Sequence, residues 1–243
     1  MYKEAWEKYR EGFRILVPFI LVKLLFEVSG FKFTSSNVTL DKYDMITGGE
    51  TLLTNMSEAN IKALVISNLF LIIISILAVP LFYSFLYLII RSIVKEEEIN
   101  YREILEESFR FYLRYLSLII IIIAMLIGIL LLAALSIVIP FLIVAVVIFL
   151  VYVIVTVIPC EAYLIYNDVS AEEALSQGRK IGKKYFWKLF LIALMTSVIG
   201  NIISVDSSTN IIVYTAKSFI TISIEYYMYI FTMILCKQEE VRY

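Results

Sequence analysis

Long apolar runs alternate with short charged stretches along this chain. Apolar residues dominate positions 15–28, 63–90, 116–139, 141–166, 189–205 and 211–236. A helix needs about 20 apolar residues to cross a hydrocarbon core about 30 Å thick, so the pattern predicts six membrane helices. The first is short, and Pro18 is expected to kink it; Pro80 predicts a kink in the second, of the kind membrane helices tolerate. Pro140 separates the third and fourth runs with no polar residue between them, which predicts a tight hairpin. Residues 30–62 are polar, hold Gly48-Gly49 with scattered Ser, Thr and Asn, and predict a loop.

The charged stretches have helical periodicity of their own. In residues 1–14, Trp6, Tyr9 and Phe13 recur on one side among mixed acids and bases, as in a helix lying in a membrane interface. Residues 100–115 open with Asn100 and Glu103, and residues 170–187 with Ser170 and Glu173, both at capping-box spacing. In the third stretch Ala174, Gly178, Ile181 and Tyr185 share a face. Glu172 and Glu173 sit at the positive end of its dipole and Arg179, Lys180, Lys183 and Lys184 toward the negative end. The predicted fold is therefore an all-α membrane protein of one domain, residues 1–243. Its six transmembrane helices form three repeats of an interfacial amphipathic helix followed by a transmembrane hairpin.

Composition supports this. Hydrophobic residues make up 61% of the chain and charged residues 18%, against about 45–50% and about 25% in soluble domains. A net charge of −1 gives no basic field for nucleic acid. The bases are unevenly placed. Sixteen of the 21 fall in residues 1–14, 91–115, 166–188 and the tail, and only Lys32, Lys42 and Lys62 lie on the other side. The positive-inside rule then puts both termini in the cytoplasm of a cell-membrane protein. The loop at 30–62 faces outward, where Asn37 and Asn55, each in an N-x-[ST] triplet, are glycosylation candidates. The first apolar run lacks an A-x-A site and is expected to be retained rather than cleaved.

The chain contains no histidine, which removes the commonest general base and metal ligand. Cys160 and Cys236 lack metal-ligand spacing and are expected to be packing residues. Neither G-x-x-x-x-G-K-[ST] nor G-x-S-x-G occurs. No catalytic residue, metal site or cofactor is predicted, and the chain is not expected to be an enzyme. The ionisable groups that reach membrane depth are Lys23, Glu27, Glu161, Lys217 and Glu225. Lys23 and Glu225 both fall roughly 10 Å from the cytoplasmic boundary, and Glu27 and Lys217 both in the outer half. Matched depth and opposite charge predict that the first and sixth membrane helices are neighbours, pairing Lys23 with Glu225 and Glu27 with Lys217. Such charges serve as packing and registry devices or mark a substrate or proton path. Arg179, Lys180, Lys183 and Lys184 are candidates for anionic lipid headgroups, with Tyr185, Phe186 and Trp187 anchoring the helix end.

Two resemblances add to this. Glu173-Ala174-Leu175, the small Gly178, basic Arg179-Lys180 and aromatic Phe186-Trp187 entering an apolar helix form a run sharpest over residues 157–195. It resembles the six-span domain of a group of uncharacterised membrane proteins and of the membrane domain of some glycerophosphodiester phosphodiesterases. Their catalytic domain is a separate soluble barrel that this chain has no room for, and Gly178 stands where such runs often have serine. Glu172, Ala174 and Gly178 also look like the E-A-A…G coupling loop of ABC import permeases, without the leucine-proline that follows it there. The expected function is a non-enzymatic scaffold or accessory subunit that organises membrane lipids or a complex, as a homo-oligomer or within a larger assembly. The alternative is a transporter or ABC-type permease subunit. A transporter needs a hydrated cavity near the midplane, lined by Lys23, Glu161 or Glu225, whereas a scaffold has a dry core and exposed partner-binding surfaces.

Overall fold

Uninterrupted apolar sequence forms helix here, and every regular element among the described residues is helical. The computed structural model describes the backbone of residues 1–44, 78–135, 141–202 and 211–240, and the side chains of 1–26, 78–134, 141–198 and 212–240. The helices are α1 (Tyr2–Asp44), α2 (Ala78–Lys95), α3 (Tyr101–Leu135), α4 (Leu142–Asn167), α5 (Ala171–Lys184), α6 (Phe186–Ile202) and α7 (Ile211–Glu240). Four of them, α2, α3, α4 and α7, are long and apolar enough to cross a membrane. The apolar part of α6 is shorter, Phe186–Val198. Elements of this length and composition suit a protein embedded in a membrane.

The charged stretches are not separate helices lying across the membrane helices. Residues 1–14 and the first apolar run are one helix, α1, because nothing between them breaks a helix and Pro18 is absorbed within it. Residues 101–115 likewise run on into the third apolar run as α3. Only α5 is set apart from its successor, by a single residue, Tyr185. The loop expected over residues 30–62 is helical as far as Asp44. Residues 30–44 are polar but contain no proline, and the first strong breaker, Gly48-Gly49, comes later. Asn37 therefore falls within α1. Asn55, Gly48-Gly49, Pro140 and the first part of the second apolar run lie outside the described residues. The polar tail is also partly helical, with α7 reaching Glu240.

Both expected caps form. The Ser170 hydroxyl accepts from the Glu173 amide at 3.3 Å, and Asn100 accepts from the Arg102 amide while its side-chain NH2 donates to Glu103 at 2.7 Å. α4 closes on Asp168, whose left-handed φ of 52° lets its amide reach Leu164 O.

α5 does not lie flat. It doubles back antiparallel along α4, presenting Ala174, Gly178 and Gly182 to it. A Cβ on Gly178 would sit 2.6 Å from Cys160 Cα, and one on Gly182 would sit 2.2 Å from Thr156 O. The two backbones touch, so only glycine fits. This accounts for glycine at 178 and at 182. Gly182, four residues on, completes a small-x-x-x-small stripe of the kind that lets helices approach closely; its G-x-x-x-G spacing was readable in the sequence.

The buried core lies at one end of the bundle, in Leu86–Ile90 of α2, the second half of α4 and Ile230–Cys236 of α7. The same end gathers the charged segments. Lys8 pairs with Glu96 at 2.6 Å, and Arg91 grips both oxygens of Glu107 at 2.9 Å. Arg110 and Arg114 hold Asp168 at 3.0 and 2.6 Å, and Lys184 meets Glu239 at 2.6 Å. The far halves of α3 and α4 are bare: 11% of the apolar window of α3 is buried, against 56% for α2 and α7.

Candidate functional site

Two carboxylates and four tyrosines converge one helical turn inside this charged end. Lys23 of α1 donates to Glu225 of α7 at 2.5 Å, and Tyr229 donates to the other Glu225 oxygen. The Tyr83 ring lies 5.5 Å from the Lys23 ammonium. Tyr229 then packs on Tyr87 with ring centroids 5.0 Å apart, and Tyr87 on Tyr115 at 6.2 Å. The Tyr115 hydroxyl donates to Glu161 of α4 at 2.8 Å, and Tyr87 faces the same carboxylate. The depth follows from sequence neighbours: Tyr87 is one turn from Arg91, and Tyr115 adjoins Arg114.

Glu161 differs from Glu225 in its partners. Among the described residues no lysine or arginine pairs with it, and Lys23 is committed to Glu225. Glu161 instead borders two cavities. One, of about 280 Å³, lies between α2 and α3 and is lined by Tyr83, Tyr115, Tyr229 and aliphatic side chains. The other, of about 170 Å³, runs between α3 and α4 past Met125 and Ile154. Both hold Ile122 and Glu161, so the carboxylate stands where they meet. The tyrosines that reach the Glu161 carboxylate do so through their hydroxyls, so the carboxylate is held by hydrogen-bond donors at the mouth of the two cavities.

Of the charges singled out in the sequence, the structure therefore brings Lys23 and Glu225 together and places Glu161 beside them. Lys217 is partly buried on α7, and its expected partner Glu27 lies outside the described side chains. The four basic candidates on α5 split. Lys184 is taken by Glu239, Arg179 buries its Nε, and Lys180 and Lys183 are exposed. Tyr185 is buried and donates to Glu239, whereas Trp187 is exposed. The tyrosines of the cluster went unread in the sequence, although Tyr83 and Tyr87 at i, i+4 share a helix face. Asp168, which ties two arginines of α3 to the end of α4, went unread as well. Among the described residues no group of His, Cys, Asp and Glu could hold a metal ion. Cys160 and Cys236 are buried thiols. No family model matches the chain, and no curated protein or solved structure matches it.

Proposed function

We propose that this is a permease-type membrane protein whose solute site is the Glu161 cavity, and that its solute is a small cation with an apolar skin. One observation carries the reading: Glu161, which pairs with no lysine or arginine among the described residues, opens onto two cavities. Lys23 and Glu225 neutralise one another beside it, and Tyr229 carries that pair to the cavity wall. The cavities lead from Glu161 toward Met125 and Ile154, so a charged head fits at the carboxylate and an apolar part deeper. In this proposal the chain makes six spans, with α1 and α6 completing the set. Both termini are cytoplasmic because the sixteen bases stay inside, and the protein works without enzymatic chemistry. The likeness to the membrane domain of glycerophosphodiester phosphodiesterases enters as layout alone.

The test is binding of radiolabelled tetraethylammonium to the purified protein, with uptake into proteoliposomes. Wild type should bind saturably, and Glu161→Gln should lose at least ten-fold in affinity while keeping its thermal stability. Equal binding by both proteins, or none by wild type, removes the permease reading and leaves the scaffold or accessory subunit.

A further inference from the structure

We infer that the seam between α1 and α7 is a binding groove for one anionic phospholipid, separate from the Glu161 cavity and from the bases of α5. Two cavities lie on this seam, about 700 Å³ beside Leu24 and Ala216, and about 360 Å³ beside Trp6 and Tyr227. They share Phe219 and Ile220 and so form one trough. From Ile212 to Tyr227 it follows about 22 Å of helix, longer than one leaflet's share, about 15 Å, of the hydrocarbon core. An acyl chain fits along it.

The two ends differ. The deep end is mostly apolar, lined by Leu24, Ile212, Ala216, Phe219 and Ile220 with Thr215. The shallow end is a box of three rings: Trp6 and Tyr9 with centroids 5.8 Å apart, and Tyr227 at 6.3 and 6.1 Å from them. Tyr227 is two residues from Tyr229 of the cluster one turn below Arg91, which puts the box at the depth where Trp and Tyr settle among headgroups. Arg10 follows Trp6 by one turn of α1 and Arg14 by two, and both are exposed. Several other bases at this end are spent within the protein, on Glu96, Glu107, Asp168 and Glu239, whereas Lys180 and Lys183 of α5 stay exposed and serve as the control. The nearby acids are spent too, Glu7 on Lys3 and Glu11 on Lys8. Arg10 and Arg14 take no ion pair among the described residues, and a lipid phosphate is the anion that the trough brings to them.

The experiment is native mass spectrometry of the full chain extracted from vesicles of equal phosphatidylglycerol and phosphatidylcholine. Wild type should retain one phosphatidylglycerol. Arg10→Gln and Arg14→Gln should each lower that retention about five-fold, from the surface attraction of one basic residue, without raising loss of phosphatidylcholine. Ala216→Phe, which fills the trough, should abolish it, and the Lys180→Gln/Lys183→Gln pair should leave it unchanged. Because Arg10 and Arg14 are exposed, their variants fold even if Ala216→Phe does not. Unchanged retention in both arginine variants overturns the site. Loss in the Lys180/Lys183 variant instead moves the lipid to α5 and also overturns it.

Discussion

Lys23 and Glu225 stand 202 positions apart in the chain and 2.5 Å apart in space. Their pairing was legible because charges are so rare in apolar runs that depth and sign leave few partners. Both side chains are mostly buried, at 16% and 22% exposed, and removing one partner of a buried pair strands the other at a cost of about 3–5 kcal/mol. Lys23→Met and Glu225→Gln should therefore each destabilise the protein, and the double variant should cost clearly less than their sum. A coupling of at least about 1 kcal/mol in chemical or thermal unfolding is expected, since independent sites add within about 0.3–0.5 kcal/mol. Glu161 was legible as a charge but not as a site. Its surroundings come from Tyr87 on α2 and Tyr115 on α3, and tyrosine in an apolar run reads as packing until three helices are superposed on it. Its exchange to Gln separates the two roles: ligand binding falls while the fold stays.

At the scale of elements, helix types and caps could be read ahead, whereas helix ends and helix directions could not. Nothing in residues 1–44 or 101–135 forbids one continuous helix, so the polar-to-apolar changes within α1 and α3 mark a change of surroundings rather than an end of structure. α5 looked interfacial because its charged face was obvious, while its small face was the more informative one. Gly182→Ala should lower thermal stability sharply, by about 3 kcal/mol or more, because overpacking of about 1–3 kcal/mol is the norm even where side chains can yield, and here the neighbour is backbone. Gly128 is the control, since a Cβ there meets nothing within 4 Å. Gly128→Ala should be neutral or stabilising by up to about 1 kcal/mol through helix propensity. A second contact between elements responds to pH. Lys8 of α1 hydrogen-bonds Glu96, just beyond α2, and this bond with its charge holds the Glu96 carboxyl below its ordinary value of 4.5. The same bond lifts Lys8 above 10.5 against the cost of its partial burial. A lowered acid stabilises above its unfolded value and loses that contribution as pH falls through the folded one. A raised base does so below its unfolded value and loses it as pH climbs through the folded one. Wild type should thus melt above Glu96→Gln between pH 4.5 and 10.5, and the gap in Tm should close as pH drops below 4.5. A gap independent of pH would assign the effect to something other than this pair.

For the molecule as a whole, the two ends of the bundle have opposite character, and the proposed orientation rests on that polarity. At one end the four basic segments are knitted into ion pairs across α1, α2, α3, α4, α5 and α7. At the other the outer halves of α3 and α4 expose Leu130, Leu131, Val144 and Ile148, a surface that water does not tolerate and lipid does. Hydropathy and charge counting made this layout legible from the sequence. The number of spans is less so, because the apolar parts of α1 and α6 are short for a full crossing. A helix short of the hydrocarbon thickness is accommodated by thinning of the bilayer and snorkelling of flanking residues, and Lys188 at the start of α6 is placed for that. Orientation can be read in intact cells, in a background where Cys160 and Cys236 are changed to Ala. A single Ser176→Cys on the exposed side of α5 should react with a membrane-impermeant maleimide only after lysis. A single Asn55→Cys should react before it. If α1 fails to cross, Asn55→Cys stays protected until lysis alongside Ser176→Cys. The chain then has fewer than six spans, and Lys23 reaches Glu225 from the cytoplasmic side. Reversed labelling would instead put the basic end outside, against the cytoplasmic placement proposed from the charge distribution.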